Sequence, residues 1–312
     1  NKSLNKANKA KEDEFYTHLS DIEKELGHYK EHFKDKIVFC NCDDPEESNF
    51  WRYFSLNFEF LKLKRLIATH FGNGKPSYKL EIVRDINNDG KINKLDTIKT
   101  PLKQNGDFRS PECIEILKEA DIVVTNPPFS LFREYVAQLM EYNKKFIIIG
   151  SLNAISYKEI FKFIKEDKLW LGYGFSGGNA YFKTHYSKDF ANGVYNKETG
   201  LVKFRNVTWF TNLEIGKRHE DLILYKTYSG NKKEYPKYDN YNAINVDITK
   251  DIPIDYEGAM GVPISFLDKH NPDQFEILGQ MATTKVDEFN YGYPYIDGNK
   301  KYARIIIRNK KV

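Results

Sequence analysis

An alternation constrains this chain more than any other feature. Short, continuously apolar runs recur: "KIVFCNC" (36–42), "RLIATHF" (65–71), "DIVVT" (121–125) and "KFIIIG" (145–150). Between them lie stretches with helical spacing. "DEFYTHLSDIEKELGHYKEHF" (13–33) places Leu19, Ile22, Leu26, Tyr29 and Phe33 on one face, and residues 50–63, 131–142 and 157–169 behave alike. Residues 110–120 add Ser110 as a helix cap with Pro111 in the first turn. A strand that is apolar at every position has both faces buried. The expected fold class is therefore α/β, a mostly parallel sheet with helices on both faces. "WLGYG" (170–174) and "VKFRNVTWFTNL" (202–213) are predicted to be strands closing that sheet.

With 312 residues, 40% of them hydrophobic, the chain suffices for one large or two medium domains. Residues 1–12 are polar and read as a mobile basic arm carrying Lys2, Lys6, Lys9 and Lys11. Residues 13–224 hold the alternating pattern, interrupted at 72–106 by a Gly-, Asn-, Asp- and Lys-rich surface insertion. From 225 to 312 the chain turns polar-aromatic and loop-rich and reads as a second module. Its end is basic, with Lys300, Lys301, Arg304, Arg308, Lys310 and Lys311. Such runs either contact phosphates or are simply solvated. The net charge of +4 decides nothing about partners. Cys40, Cys42 and Cys113 form no disulfide framework and point to a reducing, cytoplasmic setting. No Cys/His set completes a metal site, and no signal peptide or apolar run of about 18 residues argues for secretion or a membrane.

"DIVVTNPPFSLF" (121–132) carries the chemistry. In open parallel sheets ligands bind beyond the carboxyl ends of the strands, and Asn126 stands at such an end. Its amide oxygen is one acceptor, and the carbonyl of Pro127, held at fixed φ, is a second. Two acceptors at one point suit an exocyclic amine with two hydrogens. Pro128 stiffens the turn, and Phe129 offers a face on which a planar ring can stack. Asn-Pro-Pro is also an ordinary turn, but a preceding apolar strand and a following helix favour a pocket for an aromatic amine such as N6 of adenine.

Three further stretches fit a nucleotide-like methyl donor. In "NGDFRS" (105–110), Asp107 is placed to accept from an adenine amine, with Phe108 beside its ring. "CNCDDPEESNF" (40–50), with Cys42, Asp43, Asp44 and Pro45, follows the first strand, where such a cofactor is gripped. Asp43 and Asp44 also read as plain helix caps. "EFYT" (14–17), with Phe15, Tyr16 and Thr17, is positioned to wrap the other end.

Together these motifs resemble the amino-group DNA methyltransferases that use S-adenosylmethionine, and most closely the EcoRI-type adenine-N6 DNA methyltransferases. "DEFYT", "CNCDDP…SNF", "DFRS", "DIVVTNPPFSLF", "YPKYDNY.AINV" and "MGVPI.FL.K.NP.QFE" occur there in this order, over nearly the whole chain. The resemblance implies a Rossmann-like class I methyltransferase domain followed by a target-recognition module. It implies methyl transfer from S-adenosylmethionine to N6 of an adenine flipped out of double-stranded DNA, within a restriction–modification system. Asn126 and Pro127 would hold the amine, Phe129 would stack on the base, and Trp209 or Phe210 would form the second wall. Phe15, Tyr16 and Thr17 would meet the methionine part of the donor, Asp44 and Pro45 would begin its loop, and Asp107 and Phe108 would face its adenine. Lys232, Lys233, Lys237 and Asn240 are the candidate DNA contacts in the second module. Enzymes of this kind often act as monomers, and a cognate endonuclease would share the site without needing to bind.

Two departures stand out. Ser48 and Asn49 occupy positions where methyltransferases have glycine, and Thr69 and His70 end the second strand, where a carboxylate usually grips the ribose. "DINNDGKINKLD" (85–96) matches a calcium loop in part, but Asp96 replaces the final Glu and a bare hairpin is the favoured reading. "GFSGG" (174–178) reads as a flexible loop near the active site rather than a phosphate loop. Two rivals remain: N5 methylation of a protein glutamine, where the aromatic is typically Tyr, and a catalytically inactive DNA-binding module.

Overall fold

A computed structural model describes residues 16–72, 74, 76–183, 193–284 and 287–312. The basic arm and Phe15 lie outside them. The chain forms two compact units. The first comprises the described residues up to Leu152 together with Gly172–Leu213; the second comprises Asn153–Leu171 and Glu214–Val312. The division thus falls at 213/214 rather than at the 224/225 expected from composition, and the 153–171 stretch belongs with the second unit.

The first unit begins with β1 (Tyr16–Thr17) and α1 (Leu19–Leu26), then β2 (Ile37–Cys40), α2 (Asn49–Leu56) and β3 (Arg65–His70). β4 (Tyr78–Ile82) and β5 (Ile98–Pro101) come from the 72–106 insertion. α3 (Pro111–Glu119), β6 (Ile122–Thr125), α4 (Phe132–Glu141) and β7 (Lys145–Ser151) follow. The sheet of this unit runs β5-β4-β3-β2-β6-β7 and continues to a strand at Val207–Thr211. β3, β2, β6 and β7 pair parallel. The insertion forms an antiparallel pair at the surface that also extends the sheet edge, with β4 antiparallel to β3 and β5 antiparallel to β4.

Successive connections leave β2 toward β3 on one side and reach β6 and β7 on the other. The strand order therefore reverses between β2 and β6, the crevice where such sheets bind ligands. The parallel strands are buried almost throughout, as continuous apolar runs require. Ser110 caps α3, its hydroxyl accepting from Cys113 N, with Pro111 at the first position. α4 lays Phe132, Tyr135, Val136 and Leu139 on the sheet. Gly150 on β7 is required there, because a Cβ would run into the Phe132 ring.

Residues 202–213 do not make one strand. They divide at Arg205–Asn206 between two sheets. After β8 (Trp170–Leu171, in the second unit) come β9 (Ala180–Lys183), β10 (Tyr195–Asn196), β11 (Leu201–Phe204) and β12 (Val207–Thr211). β12 pairs antiparallel with β7, whereas β11 joins a small sheet of order β1-β9-β11-β10.

The second unit has α5 (Lys158–Lys165), with Ile160, Phe161 and Ile164 buried. Its sheet combines β13 (Ile244–Asn245), β14 (Met260–Pro263), β15 (Phe275–Met281) and β18 (Arg304–Asn309) in the order β13-β14-β18-β15. β16 (Tyr295–Ile296) and β17 (Asn299–Lys300) form a separate two-stranded ribbon. The C-terminal run is solvated at Lys300, Lys301, Arg308, Lys310 and Lys311, but a core strand runs through it. Ile305, Ile306 and Ile307 are fully buried, and Arg304 is inside, donating to Asp247 at 2.9 Å and to Asn245 Oδ1 at 3.1 Å. Among the described residues, no helix is long and apolar enough to cross a membrane.

Candidate active site

β2 and β6 are tied together where they end. The Thr125 hydroxyl donates to the carbonyl of Asn41, and the Tyr135 hydroxyl of α4 donates to the Asn41 side-chain oxygen. Burial pushes the Tyr135 phenol far up, so it remains a donor. Asn41, Thr125 and Asn126 are all buried, Asn126 with 6% of its surface exposed. Pro127 is buried, while Pro128 and Phe129 are half-buried at the start of a single helical turn, Phe129–Leu131. Leu131 N donates to Pro128 O at 2.9 Å and so closes the elbow.

The loop after β2 shows why glycines are not needed at 48 and 49. The left-handed backbone falls instead on Cys42, at φ 74°. Ser48 accepts from Phe50 N at 3.2 Å as the cap of α2, and its hydroxyl donates to Asp43 at 3.0 Å. Asn49 donates from its amide to the carbonyl of Thr17 at 2.8 Å, fastening β1 to this loop. Asp44 accepts from Glu46 N at 3.0 Å and from the Tyr78 hydroxyl at 3.2 Å. Its other oxygen lies 3.5 Å from Nδ1 of His70, the residue that ends β3. Pro45 lines a neighbouring cavity of about 490 Å³ with Tyr16, Ser48, Asn49 and Lys183. Burial pushes the thiols of Cys40 and Cys42 well up, so neither is a thiolate nucleophile near neutrality.

On the far side of β3, Gly106 at φ 76° lets the chain approach the His70 carbonyl closely. Burial raises Asp107, but its bonds to Arg109 outweigh this and hold the carboxyl below its usual range. Arg109 donates to Oδ1 from its backbone and Nε, both at 2.8 Å, and to Oδ2 from Nη2 at 2.7 Å. Phe108 is buried, edge-on to Tyr135 at 5.0 Å. The stretches singled out at 16–17, 41–49, 107–108 and 125–129 are thus joined by direct bonds and ring contacts.

The aromatic wall differs from the one expected. Trp209 and Phe210 are both fully buried in the core, Phe210 against Phe132 at 5.0 Å and Trp209 against Phe50 at 6.0 Å. Neither presents a face to a base, and the second wall expected from them is corrected on that ground. Beside Phe129 stands Phe204 of β11, edge-on at 6.4 Å, followed by Phe182 of β9 at 5.5 Å and then Phe175 at 6.3 Å. Phe175 stacks on Trp209 at 5.6 Å. Sequence reading missed Phe204, which is half-buried beside Phe129, and the fully buried Phe182 that backs it. The alternation in "AYFK" and "LVKF" was the available signal, and neither run was read as a separate strand.

The "GFSGG" loop is anchored rather than loose at its start. Glu25 of α1 is buried and accepts from Tyr173 N at 2.9 Å, Gly174 N at 3.0 Å and the Tyr29 hydroxyl at 2.9 Å. In the 85–96 loop, Asp85 accepts from Asn88 N and Gly90 N, and Asp96 from Ile86 N and Asn93 N. Those carboxylates face the loop's own backbone. Among the described residues, no group of three or more His, Cys, Asp or Glu side chains is placed to hold a metal ion.

In the second unit, Lys232 and Lys233 are exposed on a helical turn, and Lys237 is exposed on the strand-like stretch opposite Ile244. Asn240 does not point its donors outward: its amide nitrogen bonds the carbonyls of Tyr291 at 3.3 Å and Tyr293 at 3.0 Å. These bonds fasten that segment, and the residue itself is exposed.

The family model described as adenine-specific methyltransferase EcoRI matches residues 3–310. The chain is 48% identical to the type II methyltransferase M.EcoRI of Escherichia coli, covering 100% of this chain and 98% of that protein. It is 40% identical to M.MgeORF184P of Mycoplasma genitalium, covering 99% of each. It is 39% identical to M.MpnI of Mycoplasma pneumoniae, covering 99% of this chain and 98% of that protein. The chain belongs to the EcoRI family of adenine-specific methyltransferases.

Proposed function

We propose that this DNA methyltransferase moves a methyl group from S-adenosylmethionine to N6 of one adenine rotated out of duplex DNA. It would act as a monomer and as the modification half of a restriction–modification pair whose endonuclease shares the site. The observation that carries this reading is the Asn126–Phe129 elbow, placed at the strand-order reversal and fastened through Thr125 to Asn41. The first unit is read as a Rossmann-like class I methyltransferase domain, the second as a target-recognition module.

The residues present fit the donor. The Thr17 hydroxyl is buried and meets no hydrogen-bond partner among the described residues, which suits the donor's amino-acid end. Asp107, kept ionised, suits an adenine amine, and Phe108 adds apolar surface beside it. Asp44, close to His70, brings a carboxylate beside the end of β3, which has none of its own. When bound, S-adenosylmethionine supplies an electrophilic sulfonium methyl carbon.

Asn126 and the Pro127 carbonyl accept both hydrogens of the target amine. That geometry favours a pyramidal nitrogen and aims its lone pair out of the ring plane. Phe129 stacks on the extruded base, and Phe204 closes the ring wall beside it. These contacts offset the few kcal/mol needed to unstack a base. Positioning and fixed dipoles supply the remaining rate, with no strong base required.

The test is incubation of duplex DNA with labelled donor and the protein, followed by mapping of modified bases. N6-methyladenine confined to one sequence context is expected. Label found on protein glutamine, or no transfer to DNA, contradicts the reading.

A further inference from the structure

We infer that the β16–β17 ribbon is a DNA-contacting element of the second unit, its Lys300 and the adjoining Lys301 meeting backbone phosphates beside the groove that the ribbon faces. This rests on the reading of the chain as a DNA methyltransferase. Most of the basic C-terminal residues are already engaged. Arg304 is buried on Asp247, Arg308 pairs with Glu276 at 3.4 Å, Lys310 donates to Pro272 O at 2.8 Å, and Lys311 bonds Asp221 at 2.7 Å. Lys300 and Lys301 differ. Both are exposed, and among the described residues the Lys301 side chain meets no charged partner.

The ribbon is built to project. Ile296 is buried in a cluster with Tyr238, Ala243, Met281 and Ile306, while its neighbour Tyr295 is 37% exposed and sits directly opposite Lys300. One face anchors and the other is presented, as strand alternation requires. The Lys300 ammonium lies over the Tyr293 ring, 3.2 Å from its centre, which limits its wandering. Tyr302, just beyond, is 88% exposed. The turn uses Asp297 at φ 49° and Gly298 at φ 74°, the two left-handed positions of a tight hairpin. Asp239 holds that turn, accepting from Asp297 N at 3.0 Å and Gly298 N at 2.8 Å. Asn240 holds the approach to it through the carbonyls of Tyr291 and Tyr293. A rigid two-stranded ribbon bearing lysines and tyrosines fits a duplex groove and its flanking phosphates. The acidic groups near it are Asp239, which the turn amides occupy, and Asp297 at the tip.

The experiment measures binding of a cognate duplex against salt, with donor-dependent thermal stabilisation as the check on folding. The K300A/K301A variant is expected to bind about tenfold or more weakly, with the salt slope lowered by roughly one per lysine, and K300R/K301R is expected to restore both. Asp239→Ala separates positioning from charge. Removing an acid near DNA tightens binding if only the field matters, and weakens it if the ribbon must be held. Unchanged affinity and slope in K300A/K301A, or binding unchanged in Asp239→Ala, overturns the inference while leaving the methyltransferase reading intact, whereas a change of either sign in Asp239→Ala places the ribbon at the DNA. Failure of the parent protein to methylate any duplex strikes instead at the reading on which the inference rests.

Discussion

The hydroxyl of Thr125, the last residue of β6, donates to the carbonyl of Asn41, the first residue beyond β2. This bond extends the pairing of β2 and β6 past their ends, where the strand order reverses. It sets the position of Asn126, the next residue, relative to the loop assigned to the donor.

Thr125→Val keeps the shape but leaves the Asn41 carbonyl buried without this donor. A cost of about 1–3 kcal/mol is expected in urea unfolding. The transfer rate is expected to drop as well, because the elbow loses its tie. Unchanged stability would show that the bond is incidental.

Cys42 carries a left-handed backbone that glycine adopts freely. Cys42→Val is expected to destabilise by about 1–3 kcal/mol and Cys42→Gly to be tolerated. Thermal melting of both variants checks this. Equal losses in the two would place the importance of Cys42 in its side chain rather than its φ.

Much of the first unit was legible because its strands are buried on both faces. "KIVFC", "RLIATH", "DIVVT" and "KFIIIG" cannot be anything but central strands, and the elbow follows from what must come after one of them. The ring wall was not legible. Trp209 and Phe210 look like pocket aromatics by type, yet β12 pairs with β7 inside the sheet, so their rings go to opposite faces and are covered there, Trp209 against Phe50 and Phe210 against Phe132. Phe182 lies on a short strand whose pairing with β1 is a long-range fact, and Phe204 lies on the next short strand, paired with that of Phe182. "RIIIRN" at the C-terminus was masked by its flanking charges, although three consecutive isoleucines are an ordinary core strand.

Glu25 accepts from two backbone amides at the start of the 173–178 loop and from Tyr29. Glu25→Gln turns one acceptor into a donor facing an amide. Global stability is expected to drop by about 1–3 kcal/mol, with faster amide exchange at Tyr173 and Gly174. Protection equal to the parent at those two amides would argue against the anchoring role.

Phe129 should report on base extrusion. With 2-aminopurine at the target position, the parent is expected to raise fluorescence on binding. Phe129→Ala is expected to weaken cognate binding by about 1–3 kcal/mol, while Phe129→Tyr retains most of it. If Phe129→Ala binds and extrudes the base as the parent does, stacking on this ring is not what holds it.

Asn126→Ala tests the central claim most directly. Donor affinity, read by calorimetry, and single-turnover methyl transfer to a cognate duplex are measured together on parent and variant. The account expects donor binding to be retained and transfer to drop about a hundredfold or more. Transfer within a few fold of the parent at equal donor binding would contradict it.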